Sequence, residues 1–391
     1  MALGPAAFVD TLARLFPQPV SLHEPEFGGR EWQYVKECLD SGWVSSAGPF
    51  VERFEHALAA ATGARHAIAT VNGTASLHVC LRLAGVRSGE EVLIPTLTFV
   101  ATANAVSYCG AIPHFVDADP RTLGIDPAAL ERHLDRISTP SAQGPVNRET
   151  GRRIAAVVAM HTFGHPVNLD ALLDVCARHR LTLVEDAAES LGSTYKGRHT
   201  GTFGLVAALS FNGNKIATTG GGGAILTNDD ATAQRARHLT TTAKLPHQWE
   251  FVHDEVGYNY RLPNLNAALG CAQLEQLASF VERKRHLAET YRATFAGFTG
   301  LTFVSEPAGT RSNYWLNAIL LDPAEAHLRD DLLAGAHARG IKVRPVWRPM
   351  HLLDMYAACP RMRLDVAEDI ARRLINLPSS PRLVERLHAA A

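Results

Sequence analysis

The run Val206-Ala-Ala-Leu-Ser-Phe-Asn-Gly-Asn-Lys215-Ile-Ala-Thr-Thr-Gly-Gly-Gly-Gly-Ala224 decides how the chain folds. Its apolar start has the pattern of a buried strand, a single lysine stands beyond the strand's end, and a glycine run follows. Upstream, Leu181-Thr-Leu-Val-Glu-Asp186 is a second strand-like run, and it closes on a carboxylate. A lysine after one strand and an aspartate at the end of another is the pair that pyridoxal phosphate needs. The lysine forms a Schiff base with the aldehyde, and the aspartate keeps the ring nitrogen protonated. Lys215 is therefore the candidate catalytic residue and Asp186 a candidate cofactor ligand. The plainer alternatives are a solvated surface lysine, the usual fate of that residue, and a helix N-cap at Asp186. Glu189, three residues on, fits a capping box with Asp186 as well as a place near a cofactor.

Outward from this pair the pattern alternates. Short apolar runs occur at 66–71, 91–95, 113–116, 154–161, 181–185, 206–211 and 224–227. Helical spacing fills the intervals 75–84, 102–109, 126–137 and 169–180, and also 30–42 and 50–62 before the first strand. Near-continuous apolar strands separated by helices imply a mainly parallel sheet covered on both faces, a doubly wound α/β domain with its site at the carboxyl ends of the strands. The turn-rich stretch 138–153 reads as a surface loop. A long helical pattern over 264–295 leads into a smaller α+β unit with strands at 314–321 and 342–346 and helices at 329–339 and 366–374. The expected division is an N-terminal extension over 1–20, a large cofactor-binding domain over 21–264, and a bridging helix with a small domain over 265–391.

Further constellations lie at strand ends. Asn72-Gly-Thr-Ala-Ser76 opens a helix, so the amides around Gly73, Thr74 and Ala75 can bind a phosphate. An ordinary helix start capped by Thr74 is the alternative. Phe99, beyond the second strand, could stack on a pyridine ring or pack in the core. Ser210 could offer a hydroxyl to a phosphate or bond to backbone. The glycines at 220–223 are not G-x-G-x-x-G opening a helix, and no G-K-[ST] follows, so dinucleotide and P-loop readings are rejected.

Composition limits the partners. The chain has 391 residues, 46% hydrophobic and 20% charged, with a formal net charge of -1. Without a basic block, nucleic-acid binding gains little electrostatic support. Six scattered cysteines without a C-x-x-C pair imply reduced thiols, and no metal site is expected. The first ten residues lack the features of a signal peptide. No stretch approaches the roughly 18 apolar residues of a membrane helix. A cytoplasmic location and no membrane partner are expected.

Taken together, the chain resembles the DegT/DnrJ/EryC1/StrS family of nucleotide-sugar aminotransferases. The resemblance rests on Gly73-Thr-Ala75, Pro95-x-x-Thr-Phe99, Glu185-Asp-Ala-Ala-Glu189, Tyr195-Lys-Gly-Arg198, Gly201-Thr-Phe-Gly204, Ser210-Phe-Asn-Gly-Asn-Lys215, Gly257-Tyr-Asn-Tyr-Arg261 and Asn264-Leu-Asn-Ala-Ala-Leu-Gly270, in family order. It implies a fold-type I aminotransferase with a mainly parallel seven-stranded sheet and a homodimer with shared active sites. Lys215 would anchor pyridoxal 5'-phosphate and shuttle the proton, and Asp186 would hold the ring nitrogen. Thr74, Ala75 and Ser210 would bind the phosphate, Glu189 would lie near the ring, and Asn259 would reach the neighbouring subunit's cofactor.

Three segments, 22–29, 42–48 and 103–110, look most like the branch that aminates UDP-linked 4-keto-6-deoxy-N-acetylhexosamines with L-glutamate for bacterial surface glycans. Trp43, Ser45 and His351 are then candidate substrate contacts, with a structural histidine as the alternative at 351. The rivals are the same chemistry on a GDP- or dTDP-linked sugar, a sugar dehydratase of the same fold, and a regulatory protein on this scaffold. Lys215 stands where such a dehydratase has histidine, which argues against that enzyme.

Overall fold

The seven apolar runs form one sheet in the computed structural model, which describes residues 1–388. Its strands are β1 (His66–Thr70), β2 (Glu91–Pro95), β3 (Ile112–Val116), β4 (Ile154–Met160), β5 (Thr182–Asp186), β6 (Val206–Ser210) and β7 (Gly223–Thr227). Their order across the sheet is β1-β7-β6-β5-β4-β2-β3. Neighbours from β6 to β3 pair in parallel, while β7 runs antiparallel to both β1 and β6. Six strands therefore point one way and present their carboxyl ends along a single edge. Nearly every residue of these strands is buried, as expected when helices cover both faces.

The covering helices begin with α1 (Pro5–Leu15), α2 (Glu31–Ser41) and α3 (Pro49–Thr62). Next come α4 (Gly73–Leu83), α5 (Val100–Tyr108), α6 (Pro127–Ile137), α7 (Leu169–His179) and α8 (Asp230–Thr240). One core lies between α4, α5, α8 and the sheet, and a second packs α3 and the start of a long helix, α9 (Asn264–Phe295), against strand residues such as Ala69 and Leu209.

α9 ends in a smaller unit. Four short antiparallel segments, Leu301–Phe303, Asn317–Leu321, Leu374–Leu377 and Arg344–Pro345, form its sheet in that spatial order. α10 (Arg329–Ala338) and α11 (Asp365–Arg373) pack on it. The strand expected over 342–346 is only two residues long, and Pro345 within it has no N–H to give to a ladder.

Two expectations are corrected. Residues 1–20 are a folded part of the smaller unit. Phe8, Leu12 and Phe16 are buried with Tyr291 and Phe295 of α9 and Leu332 of α10, and Val20 bridges Ile341. The stretch 138–153 is no plain surface loop. Ser138–Thr139 pairs with Val146–Asn147, and Asn147 and Thr150 both donate to the buried carboxylate of Glu91.

Candidate active site

The carboxyl ends of β1, β4, β5 and β6 open into a cavity of about 850 Å³. Asn72, Gly73, Thr74, Phe99, Asp186, Glu189, Ser210 and Lys215 all line it. The residues come together because Asp186 ends β5 in register with Met160 of β4 and Ala208 of β6, while Ser210 ends β6 opposite Gly223.

The N-terminus of α4 forms one side. Asn72, not Thr74, is the cap: its side chain accepts from the Ala75 amide at 2.7 Å, and its carbonyl accepts from Ser76. The Gly73 and Thr74 amides precede the first intrahelical bond and line the cavity, in the place where a helix favours an anion. Glycine is required at 73, since a Cβ there would lie 2.8 Å from Cβ of Ser210 and 3.3 Å from the Leu209 carbonyl oxygen. The glycine run has a structural use as well. A Cβ on Gly223 would fall 2.5 Å from the Asn72 carbonyl carbon, so β7 can pass this close to α4 only as glycine.

Asp186 is buried, and it caps no helix. One carboxylate oxygen accepts from the Thr102 hydroxyl at 2.7 Å and the other from the Ala188 amide at 3.2 Å. Burial raises its pKa, and the Thr102 and Ala188 hydrogen bonds and the Lys215 charge oppose the rise. The capping box with Glu189 does not form. Glu189 turns inward, where one oxygen accepts from the Phe163 amide at 2.9 Å and the other lies 3.3 Å from Nζ of Lys215. Burial pushes its carboxyl up to about 7 against the pull of Lys215.

Lys215 is held in place from several sides. Its Nζ sits 3.9 Å from the centre of the Trp315 ring, a cation–π contact. The Trp315 indole N–H donates to the Asn214 carbonyl at 2.7 Å, which ties the lysine loop to the smaller unit. Phe163, Trp347 and Phe99 form a chain of ring contacts along the same wall, with Phe99 still half exposed. Trp315, Trp347, His23 and Thr102 belong to this site or support it, and the sequence reading missed them.

The other expected contacts lie elsewhere. Trp43 and Ser45 are exposed and outside the cavity, and their carbonyls accept from the Asn264 side chain and amide. His351 is buried outside the cavity, bonded through Nδ1 to Thr96 at 2.7 Å and through Nε2 to Glu368 at 3.0 Å, as a structural histidine is. Asn259 is exposed and also outside the cavity of its own chain.

The sequence profile of the DegT/DnrJ/EryC1/StrS aminotransferase family matches residues 25–387. The chain belongs to this family. It is 38% identical over 367 residues to the GDP-perosamine synthase of Caulobacter vibrioides, with 94% of each chain covered. Among solved structures it is similar to the aminotransferase TlmJ of Streptoalloteichus hindustanus, at 31% identity and a TM-score of 0.84 over 95% of this chain and 97% of that one. It is also similar to PseC of Helicobacter pylori, an aminotransferase involved in the biosynthesis of pseudoaminic acid, at 25% identity and a TM-score of 0.85 over 95% and 98%.

As a member of the DegT/DnrJ/EryC1/StrS family, the protein is a pyridoxal phosphate-dependent sugar aminotransferase. The cavity suits that cofactor: two helix amides for a phosphate, a buried carboxylate for a ring N–H and a partly buried lysine for an aldehyde. Among the described residues no helix is long and apolar enough to cross a membrane.

Proposed function

We propose that the protein moves the amino group of L-glutamate to C4 of a nucleotide-linked 4-keto-6-deoxy sugar. The observation that carries this reading is the meeting of Lys215, Asp186 and the start of α4 in one cavity. Bound pyridoxal phosphate supplies an electron sink that stabilises negative charge at the carbon losing a proton.

The protein's own residues supply the rest. The amides of Gly73 and Thr74, with the Ser210 hydroxyl, bind the phosphate. Asp186 holds the proton of the ring nitrogen, and Thr102 fixes the orientation of that carboxylate. Phe99, on the cavity wall, would stack on the ring. Nζ of Lys215 takes the proton from the donor's α-carbon and later returns one to the sugar's C4 side. Glu189, with a pKa near neutrality, stands within hydrogen-bond reach of Nζ and can buffer its proton. The aromatic wall of Phe163, Trp315 and Trp347 keeps bulk water off this path.

Two acceptors fit the reading. The segments 22–29, 42–48 and 103–110 support a UDP-linked 4-keto-6-deoxy-N-acetylhexosamine, destined for bacterial surface glycans. Identities of 36% and 38% to GDP-perosamine synthases of Escherichia coli O157:H7 and Caulobacter vibrioides support a GDP-linked 4-keto-6-deoxyhexose. The experiment charges the enzyme with L-glutamate, removes the glutamate, and offers each keto sugar in turn. Mass spectrometry should find one aminated nucleotide sugar in stoichiometric yield, and the nucleotide that reacts decides between the two. Charging by glutamate with no amination of any nucleotide keto sugar would refute the proposal.

A further inference from the structure

Two polar groups on the cavity wall are used by nothing in the folded chain. Both ring nitrogens of His23 are shielded from solvent and have no hydrogen-bond partner among the described residues, although the residue as a whole is only partly covered. Oδ1 of Asn376, in the small sheet, is in the same condition, and the residue is 4% exposed. Both side chains line the cavity that holds Lys215. Unpaired buried polar groups are destabilising, and folded chains rarely leave them without cause. Two in one functional cavity point to a ligand that supplies the missing partners.

The chemistry of the two side chains restricts that ligand. Burial, together with the charges of Lys284 and Lys215, holds the His23 ring in its neutral form. Nζ of Lys284 is itself occupied with the carbonyls of Trp315 and Ser379. A neutral imidazole offers one donor and one acceptor, and an amide oxygen only accepts. A phosphate or carboxylate only accepts as well, so it would leave the amide oxygen and one imidazole nitrogen still unpaired. A hydroxyl or an acylamino group both donates and accepts, so one such group pairs the imidazole N–H and one of the two acceptors, and a second donor of the ligand completes the set.

We propose that His23 and Asn376 are specificity-determining residues that receive a neutral donor–acceptor substituent of the acceptor hexose, a ring hydroxyl or an acylamino group. The amino donor's carboxylates only accept, so these two side chains do not serve it. This assignment rests on the reading of the protein as a nucleotide-sugar 4-aminotransferase.

The test uses holoenzyme and measures the two half-reactions separately for wild type, His23→Leu, His23→Gln and Asn376→Leu. His23→Leu and Asn376→Leu should each lower kcat/KM for the keto sugar about tenfold or more, chiefly through KM. The glutamate half-reaction should stay within about twofold of wild type. His23→Gln, which keeps a donor and an acceptor, should recover much of the loss. Thermal midpoints of the leucine variants should equal or exceed that of wild type, since unpaired polar atoms have been removed.

Paired acceptors with a 2-acetamido or a 2-hydroxyl group distinguish the substituent. A loss confined to the acetamido sugar marks the acylamino group, and a loss on both marks a ring hydroxyl. Equal losses in both half-reactions, or none in either, overturn the assignment while leaving the reaction intact. A wild-type enzyme that glutamate charges but that aminates no nucleotide keto sugar overturns both, and that outcome is read on wild type alone.

Discussion

Glu189 shows how strongly this site controls charge at single residues. Its ordinary value is 4.5, and in the fold its carboxyl titrates at about 7. Because the folded-state value is the higher one, the folded cofactor-free protein binds this proton more tightly than the unfolded chain. The associated stability is fully present below about pH 4.5 and is lost as pH rises through about 7. The gap corresponds to at most about 3 kcal/mol. Urea unfolding of cofactor-free wild type and Glu189→Gln across this window should show the wild type losing stability with rising pH relative to the variant. Parallel curves would mean that Glu189 titrates normally.

At this scale the sequence was legible where chemistry demands a residue type. A lysine and an aspartate at strand ends are conspicuous because apolar strands seldom carry charge inward. Trp315, Trp347 and His23 were not legible. An aromatic or histidine inside an apolar stretch looks the same whether it packs a core or lines a cavity, and only the fold that brings residues 23, 315 and 215 together separates the two. At His351 the sequence left two readings open, a substrate contact and a structural histidine, and Thr96 and Glu368 account for both of its nitrogens.

Among the elements, α4 bears most directly on the cofactor. Its start is set by the Asn72 cap and by the close approach that Gly73 and Gly223 permit. Asn72→Ala removes one cap bond, worth about 0.5–2 kcal/mol of stability, and frees the first turn that presents the phosphate amides. Gly73→Ala forces Ser210 and α4 apart. Equilibrium dialysis should find weaker pyridoxal phosphate binding in both variants. The loss should be larger for Gly73→Ala, because it displaces two phosphate ligands at once, while the thermal midpoint falls in both. An Asn72→Ala variant with lower stability but undiminished cofactor affinity would show that the cap is not what aims the amides.

Elements with strong periodicity, such as the seven strands and α9, were readable from the chain, since their burial dictates their pattern. The hairpin over 138–147 was not. Its residues are turn formers, and what orders them is the Glu91 carboxylate roughly fifty residues earlier in the chain.

The whole molecule raises a question that the single chain leaves open at its surface. Residues 245–256 expose Leu245, Trp249, Phe251, Val252 and Val256, the last at 82%, on the segment leading to Asn259. Apolar surface of this kind marks an interaction site. The resemblance to the family implies a homodimer, which would give this surface an occupant, a second copy of the chain whose cavity Asn259 would enter. Two substitutions separate the parts of this argument. Val256→Glu places a charge in the contact, so sedimentation velocity should show the dimer dissociating and pyridoxal phosphate should be lost with it. Asn259→Ala removes one polar side chain without touching the apolar contact, so the dimer should persist while cofactor affinity falls about tenfold. If Val256→Glu is monomeric yet retains the cofactor with wild-type affinity, each chain completes its own site and Asn259 has no part in its neighbour's. If Asn259→Ala dissociates the dimer, the residue belongs to the contact itself.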